Sequence, residues 1–257
     1  MAGMRKTAVT IALLAAIPLS IAYFDQPLTL WAHAQFHGIR QTFHTLTRVV
    51  EPIELLAMLG LIWCGARFAF GRLARPEIAL LRLSLAVLTA IGVKDLLKLA
   101  FGRTWPETWT NGNPSFIADH AYYFAPFHGG LGWSAFPSGH QTVTAAFCGA
   151  LWILAPRLRL LCAAVMLVVA IGLIGADEHW LSDVIAGGLV GWLIGVLMTK
   201  IELPKTDSPR LRGECAPRVG HHASSAVAGL SSASSSSSSC SPSETLTSSS
   251  VSSTTAA

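Results

Sequence analysis

The sequence predicts an all-α membrane protein, a six-transmembrane-helix bundle followed by a disordered C-terminal tail. Two observations lead to this fold class. The 257-residue chain is 52% hydrophobic and only 12% charged, which is about half the charged fraction of an average soluble domain. Its apolar residues are also gathered into blocks of about the ~20 residues that a helix needs to cross a hydrocarbon layer ~30 Å thick.

Six apolar blocks are long enough to span the membrane. They are Ala8–Phe24, Ile53–Phe70, Ile78–Phe101, Ser138–Ala155, Leu158–Ala176 and Ser182–Thr199. The first block follows Arg5 and Lys6, a pattern that a cleaved secretory signal also shows. We interpret it as a retained helix, because no small-x-small cleavage site follows it and because Tyr23, Phe24 and Asp25 are typical of an interfacial exit.

Basic residues precede the first block, surround the second connection, make the fourth connection basic, and follow the last block. They are Arg5, Lys6, Arg67, Arg72, Arg75, Arg82, Arg157, Arg159, Lys200, Lys205, Arg210, Arg212 and Arg218. The positive-inside rule places these regions in the cytoplasm, and we expect the membrane to be the inner (plasma) membrane of a bacterium. Both termini are then cytoplasmic, and the connections Gly102–Pro137 and Asp177–Leu181 face outward. The net charge of +4 is explained by this topology and does not indicate nucleic-acid binding.

Composition divides the chain near residue 203. Residues 1–203 form the expected membrane domain, whereas residues 204–257 are rich in Ser and Thr. The second part holds too few apolar residues to offset its chain entropy, so we expect a disordered cytoplasmic tail. The five cysteines show no CxxC spacing, and no cluster of metal-ligating residues stands out along the chain. The sequence therefore indicates neither a disulfide framework nor a metal site, and we expect no cofactor.

The first of three clusters that carry candidate chemistry lies at the end of the third block. Lys94 and Lys98 are four residues apart and share one helix face, and Gly102, Arg103 and Pro106 follow them. Ionisable residues in a membrane helix usually mark a functional path, although lysines near a helix end also extend to the interface. Lys98 and Arg103 together place two cations at the mouth of the outward loop.

The second cluster is Pro137-Ser138-Gly139-His140, directly before the fourth block. Pro and Ser are favoured at helix starts, and the free N–H groups of a helix N-terminus bind anions. Gly139 lets an oxyanion approach the backbone, and His140 is held beside that anion with a proton to give. The alternative is an accidental Ser-Gly-His in a loop.

The third cluster contains His179 and Asp183, whose spacing places them one turn apart on one helix face. A carboxylate bonded to one ring nitrogen fixes the imidazole tautomer and leaves the other nitrogen free to attack. The alternative is a His–Asp pair that only caps the last helix with the help of Ser182. The other two clusters are predicted on the same side of the membrane, which favours the catalytic interpretation.

In order, spacing and topology these clusters resemble the type 2 phosphatidic acid phosphatase (PAP2) superfamily, which also contains glucose-6-phosphatase and the vanadium haloperoxidases. Its signature is K-x6-R-P, then P-S-G-H, then S-R-x5-H-x3-D, and the resemblance covers about Lys98 to Asp183. It implies a PAP2/haloperoxidase-like helical core. It also implies that His179 attacks phosphorus and forms a phosphohistidine, that His140 protonates the leaving alkoxide, and that Asp183 orients His179.

The resemblance further implies that Lys98 and the backbone at Ser138, Gly139 and His140 hold phosphate oxygens, and that no metal is required. The sequence departs from the family signature at two positions where the family has arginines that hold the phosphate. Trp105 stands at the Arg position of the first motif, and Gly172-Leu173 stands at the Ser-Arg position of the third. Both clamping arginines of the family are therefore absent. Arg103, two residues before the motif position, is expected to replace one of them.

The predicted function is that of a membrane phosphatase acting on a phosphate monoester or pyrophosphate of a lipid at the outer (periplasmic) face. The alternative is a catalytically silent relative that binds a phosphorylated lipid or a partner protein. The intact histidines and Asp183 favour the enzyme, and the missing arginines favour the silent protein. A haloperoxidase is disfavoured because the chain is so hydrophobic. The sequence does not choose among phosphatidic acid, phosphatidylglycerol phosphate, undecaprenyl pyrophosphate and lipid A, and it does not indicate an oligomeric state.

Overall fold

The structure is a computed structural model that describes residues 2–71, 73–109 and 112–202. The predicted tail, residues 204–257, lies outside the described residues. Within them the chain forms α-helices and short 3₁₀ turns, with no β-strand and three isolated β-bridges. The predicted all-α class is therefore confirmed.

The described residues form nine α-helices. They are α1 (Ala2–Tyr23), α2 (Asp25–Phe36), α3 (Arg40–Thr47), α4 (Val50–Phe70), α5 (Arg75–Phe101), α6 (Phe116–Asp119), α7 (Gly139–Leu154), α8 (Arg159–Gly175) and α9 (Leu181–Lys200). The six predicted blocks coincide with α1, α4, α5, α7, α8 and α9. Apolar block length thus located these six helices, although it did not fix their end residues.

Among the described residues, four helical segments are long and apolar enough to cross a membrane. They are Asp25–Phe70, Arg75–Phe101, Pro156–Gly175 and Leu181–Lys200. The apolar part of α1, Leu14–Tyr23, is shorter, and α7 has only 16 residues. The chain is a multi-pass helical membrane protein, and crossing by all six blocks stays a prediction.

Besides the four-residue α6, two helices have no counterpart among the predicted blocks: α2 and α3. Together with the turn between them, they carry four polar side chains at short intervals: His33, His37, Arg40 and His44. These residues interrupt any apolar run, so a pattern of membrane spans does not reveal the two helices. Their position in the chain nevertheless matters, because they bring these side chains to the candidate site.

The outer faces of the long helices are apolar. Leu59, Ile62 and Trp63 on α4 are more than half exposed, and Leu160 on α8 is 86% exposed. A soluble protein rarely leaves apolar patches of this kind uncovered. Contact with lipid hydrocarbon accounts for these exposed side chains. Hydrocarbon offers no hydrogen bonds, and the backbone polar groups of these segments already pair within the helices.

The interior of the bundle is organised around α7. Val143 of α7 packs with Ile53 of α4 and Val87 of α5, and one turn later Ala146 packs with Ala90 of α5 and Ile194 of α9. All of these side chains are buried. The helix that follows the Pro-Ser-Gly-His cluster is therefore held on several sides by apolar contacts.

A row of glycines on α9 brings its backbone against α7. Gly187, Gly191 and Gly195 are four residues apart and lie on one helix face. A Cβ added at Gly191 would lie 2.0 Å from the carbonyl oxygen of Thr142, and one at Gly195 would lie 2.2 Å from that of Ala146. Small residues at this spacing are the usual means of close helix packing in membranes. The contact fixes the starts of α7 and α9, which carry the second and third clusters, side by side.

The glycine row predicts that Gly191→Ala destabilises the protein by about 1–3 kcal/mol, the usual cost of an overpacked contact, because a new methyl group would overlap the α7 backbone. Thermal unfolding in detergent measures the effect. Gly188→Ala in the same helix is the control, since its Cβ would lie 3.7 Å from the Gln141 side chain and alanine favours helix by up to about 1 kcal/mol. An equal Tm for the two variants would contradict the role of the row.

Candidate active site

The loop that follows α5 begins with a glycine that no other residue can replace without a shift. Gly102 has a φ of +57°, and its N–H donates to the carbonyl oxygen of Lys98 at 2.9 Å, which ends α5. A Cβ at Gly102 would lie 1.8 Å from the carbonyl oxygen of Ala125. Glycine tolerates both the left-handed backbone and the close approach. The chain therefore turns at once from Lys98 into Arg103.

Backbone hydrogen bonds hold the loop residues that face the site. The N–H of Ala135 donates to the carbonyl oxygen of Arg103 at 3.1 Å, and the N–H of Phe116 donates to that of Trp105 at 3.0 Å. The isolated β-bridges of the loop involve these same segments. The Arg103 and Trp105 backbones are therefore anchored although the loop contains no strand among its described residues.

His179 lies in the short connection between α8 and α9 and is only 3% exposed. Its Nδ1 is 3.4 Å from Oδ2 of the buried Asp183, and the same oxygen accepts from the backbone N–H of Trp180 at 3.2 Å. The His–Asp distance is long for a hydrogen bond, but such contacts often shorten only when substrate is bound. Because Asp183 faces Nδ1, Nε2 is the ring nitrogen that has no contact with this carboxylate.

Arg103 is buried and fully engaged by the protein. Its guanidinium donates to Asp183 Oδ1 at 2.5 Å, to Asp25 Oδ2 at 2.7 Å and to Ser182 Oγ at 2.6 Å. The side chain is only 1% exposed. The expectation that Arg103 replaces a phosphate-clamping arginine does not fit this arrangement, because both of its terminal nitrogens already bind carboxylates. Arg103 is instead placed to hold Asp183.

The surroundings of Arg103 keep it charged. Burial lowers the pKa of its guanidinium, but the carboxylates of Asp183 and Asp25 more than offset this, and the net shift is upward. Its guanidinium carbon also lies 4.8 Å from the Phe124 ring centroid and 5.2 Å from that of Tyr122, within cation–π range. Burial raises the pKa of the Tyr122 hydroxyl, which therefore stays protonated and accepts from Arg103 at 3.0 Å.

Asp25, which the sequence indicated only as part of an interfacial exit, contacts Arg103 and Ser182 in the structure. The side chain is completely buried and accepts from Ser20 Oγ at 2.8 Å and from Ser182 N at 2.9 Å, besides its pair with Arg103. It ties the start of α2 to the start of α9. A lone acidic residue at the end of an apolar block was the available signal, since a carboxylate there needs a partner.

The start of α7 is built as the Pro-Ser-Gly-His pattern predicts. Ser138 Oγ accepts from the N–H of Gln141 at 3.4 Å and caps the helix, and the Ser138 N–H donates to the carbonyl oxygen of Asp183 at 3.1 Å. A Cβ at Gly139 would lie 3.5 Å from Lys98 Nζ. The Lys98 ammonium thus lies against the first turn of α7, where helix N–H groups and a cation together favour an anion.

His140 lies half-buried in the first turn of α7. Its ring makes no hydrogen bond to any side chain or backbone group of the described residues. Its neighbour Gly139 lies against Lys98 Nζ, and the Ser138 N–H donates to the carbonyl oxygen of Asp183, one turn from His179. The structure therefore brings His140, His179 and Lys98 to one place, with the His140 ring nitrogens open to a ligand.

The two positions where the family has arginines are filled differently. The Trp105 ring centroid is 5.0 Å from that of His179 and 5.7 Å from Lys98 Nζ, and the indole N–H donates to the carbonyl oxygen of Leu131 at 2.8 Å. Leu173 is completely buried and packs with Val169 and Val184. One position therefore places an aromatic ring beside the candidate nucleophile, and the other belongs to the apolar core.

Asp177 and Glu178, which precede His179, each contact a histidine of α2 or α3. Asp177 Oδ2 is 2.8 Å from Nδ1 of His33, and a Glu178 oxygen bonds Nδ1 of His44. Burial raises the pKa of Asp177, and the hydrogen bond to His33 partly offsets that shift. These contacts partner one oxygen of each carboxylate, which lessens their repulsion of a phosphate near His179.

A family profile described as the PAP2 superfamily matches residues 79–207. Two curated relatives are both named lipid A 1-phosphatase. The protein from Rhizobium johnstonii is 37% identical over 93 residues, covering 36% of this chain and 35% of its own length. The protein from Rhizobium etli is 35% identical over 99 residues, covering 38% of this chain and 40% of its own length. The match thus spans well under half of these curated relatives.

Two solved structures are similar to this chain at a lower level. The crystal structure of Aquifex aeolicus LpxE is 18% identical, with a TM-score of 0.37, and the match covers 63% of this chain and 94% of that one. The transmembrane PAP2 type phosphatidylglycerolphosphate phosphatase from Bacillus subtilis is 17% identical, with a TM-score of 0.32, and the match covers 71% and 94%.

The contacts of Arg103 predict that Arg103→Met lowers the free energy of unfolding by about 3–5 kcal/mol, the usual cost of leaving a buried charge without its partner. Without the guanidinium, the buried carboxylates of Asp25 and Asp183 would lose the cation that lies between them. Chemical unfolding in detergent measures the change. Arg48→Met is the matched control, because its pair with Glu51 is exposed. Unchanged stability in Arg103→Met would contradict this role and return Arg103 to the phosphate clamp.

Proposed function

This chain belongs to the PAP2 superfamily, and we propose that it is a phosphatase that hydrolyses a phosphate monoester or pyrophosphate on a lipid. One observation carries the proposal. Asp183 holds the buried His179 ring by Nδ1 at 3.4 Å, next to the start of α7, where Lys98 lies against Gly139. A nucleophile, a proton donor and an anion site are thereby combined in one place.

The first step forms a phosphohistidine. Nε2 of His179 bonds to phosphorus as the bond from phosphorus to the lipid oxygen breaks, and His140 gives that oxygen a proton. In the second step a water oxygen bonds to phosphorus, the nitrogen–phosphorus bond breaks, and His140 takes the proton of the water. Phosphate leaves and both histidines return to their starting states. Asp183 stabilises the positive charge that His179 acquires while it attacks.

The phosphate is held by Lys98 and by the N–H groups of Gly139 and His140. The Ser138 N–H, which the family resemblance also assigned to the phosphate, donates instead to the carbonyl oxygen of Asp183. This cradle supplies positive charge where negative charge develops during transfer, so the reaction needs no metal ion at phosphorus. The cradle is weaker than a clamp with two arginines, because Trp105 and Leu173 occupy those positions. Arg103 acts in this scheme as a positioning residue for Asp183.

A lipid substrate is supported by an apolar groove of about 430 Å³. Its lining residues are Leu14, Ile17, Pro18, Ile21, Phe101, Phe124 and Phe136. Phe136 immediately precedes the Pro-Ser-Gly-His segment, so an acyl chain in the groove would leave its head group near the cradle. The relatives named lipid A 1-phosphatase make lipid A the first lipid phosphate to test.

The alternative remains a catalytically silent protein that binds a phosphorylated lipid or a partner. The specific observation behind it is the Trp105 ring beside His179, together with a nucleophile that is almost completely covered. Trp105→Arg restores the residue of the family motif. If phosphate release occurs only in that variant, the natural protein is better described as a silent lipid-phosphate binder.

Activity is expected as phosphate release from at least one of four lipids in detergent with excess chelator: phosphatidic acid, phosphatidylglycerol phosphate, undecaprenyl pyrophosphate and lipid A. His179→Gln should abolish release and the acid-labile phosphoenzyme, because glutamine cannot form the nitrogen–phosphorus bond. His140→Gln should slow turnover by roughly 10²–10⁴-fold, the usual contribution of a general acid. His128→Gln, in the exposed part of the loop, is the control. Wild-type turnover in His179→Gln would exclude this mechanism.

We place the cradle on the outer face of the membrane, with both termini in the cytoplasm. The support is the alternation of basic connections along the sequence. In a background without native cysteines, an impermeant thiol reagent applied to intact cells should label His128→Cys in the Gly102–Pro137 loop. It should not label Arg157→Cys between α7 and α8. The reverse pattern would invert the topology.

A further inference from the structure

A second cluster of titratable side chains lies beside the His179 connection but outside the phosphate cradle. Its members are His33, His37, Glu107 and Asp177, and one potential ligand atom from each lies within 4.8 Å of the others. Two come from α2 and the turn after it, one from the outward loop, and one from the α8–α9 connection. We propose that these four side chains form a binding site for a divalent transition-metal ion of the Zn²⁺ class.

The first argument is an incompletely satisfied buried carboxylate. Asp177 is only 1% exposed, and one of its oxygens, Oδ2, contacts Nδ1 of His33 at 2.8 Å. The other oxygen, Oδ1, is buried and has no hydrogen-bond partner among the described residues. A buried carboxylate oxygen without a partner is costly, and a metal ion is one of the few groups that satisfies it. The unpartnered oxygen is therefore evidence for a bound cation.

The second argument is the type and spacing of the ligands. His33 and His37 are four residues apart, and their ring centroids are 4.6 Å from each other, the arrangement by which one helical turn presents two imidazoles to a metal. Two histidines and two carboxylates suit Zn²⁺ and similar ions, whereas Mg²⁺ and Ca²⁺ favour oxygen ligands. Tetrahedral Zn²⁺ sites with bonds near 2.0–2.1 Å need ligand atoms about 3.4 Å apart, so small side-chain movements would close the site.

The third argument is charge. Glu107 and Asp177 meet at the cluster, and Arg40 is the permanent cation that contacts it among the described residues, by donating to Glu107 Oε2 at 3.3 Å. Arg40 is 38% exposed and also lies 5.3 Å from the Trp109 ring centroid. It can therefore withdraw toward solvent when an ion binds Glu107. A divalent ion would neutralise both carboxylates, which Arg40 alone does not.

The sequence expectation of no metal site overlooks this group because its ligands come from distant segments of the chain. A bound ion would connect α2, the outward loop and the connection that carries His179. It would brace that connection without touching the phosphate, so it leaves the chemistry of the cradle metal-independent. The inference concerns metal binding and stands whether or not the chain hydrolyses a lipid phosphate.

Binding is tested with full-length protein in detergent, purified without a histidine tag, stripped by chelator and titrated with Zn²⁺ by calorimetry. Wild type should bind one more equivalent of Zn²⁺ than His37→Gln and Asp177→Asn do, or should bind Zn²⁺ at least tenfold more tightly. Mg²⁺ should not compete with Zn²⁺ for this site. Asn is a suitable replacement because residue 177 has a positive φ, which Asn tolerates. His128→Gln should match wild type. The cysteines and the remaining histidines, apart from His128 in its own control variant, are common to all four proteins and cancel in the comparison.

Thermal unfolding gives a second measurement of the same site. Zn²⁺ should raise the Tm of wild type and His128→Gln by several degrees, since a ligand that binds only the folded state stabilises it. The shift should be lost in His37→Gln and Asp177→Asn, whose metal-free Tm values show whether each variant is folded. Equal Zn²⁺ binding by wild type and both variants, or no saturable binding by wild type, would overturn the proposal.

Discussion

The buried ion pairs of Arg103 are the contacts on which the rest of the site depends. The guanidinium lies between Asp183 of α9 and Asp25 of α2, with all three side chains removed from solvent. Each charge would be unstable alone in such surroundings, and the set is stable because hydrogen bonds from Ser20, Ser182 and Tyr122 complete it. Since Asp183 also faces His179, the position of this candidate nucleophile depends on the same ion-pair network.

Helix packing supplies the second half of the geometry. The Gly187, Gly191 and Gly195 row lets the α9 backbone contact α7 directly, so the segments before these helices meet. The N–H of Ser138 then reaches the carbonyl oxygen of Asp183, which joins the first turn of α7 to the helix that follows His179. Lys98 reaches the same turn from the end of α5, because Gly102 ends that helix sharply.

The distribution of charge distinguishes this chain from the motif pattern of its family. A fixed arginine fork is absent at the positions of Trp105 and Leu173, and Arg103 is bound to carboxylates. Positive charge at the proposed cradle therefore comes from Lys98 and from helix N–H groups, which would hold a phosphate less rigidly than a guanidinium does. Carboxylates near the nucleophile contact histidines of α2 and α3, so these two short helices modify the electrostatics of the site.

The sequence by itself determined the helical class, six of the helices, and the identity of His140, His179, Asp183 and Lys98 as candidates, because apolar block length and motif spacing are local properties. Tertiary structure decided which groups Arg103 contacts. Whether a guanidinium meets a phosphate or a carboxylate depends on which distant side chain reaches it, and Asp25 lies 78 residues away in the chain. The His33, His37, Glu107 and Asp177 cluster was hidden for the same reason, since its spacing exists only after the chain folds.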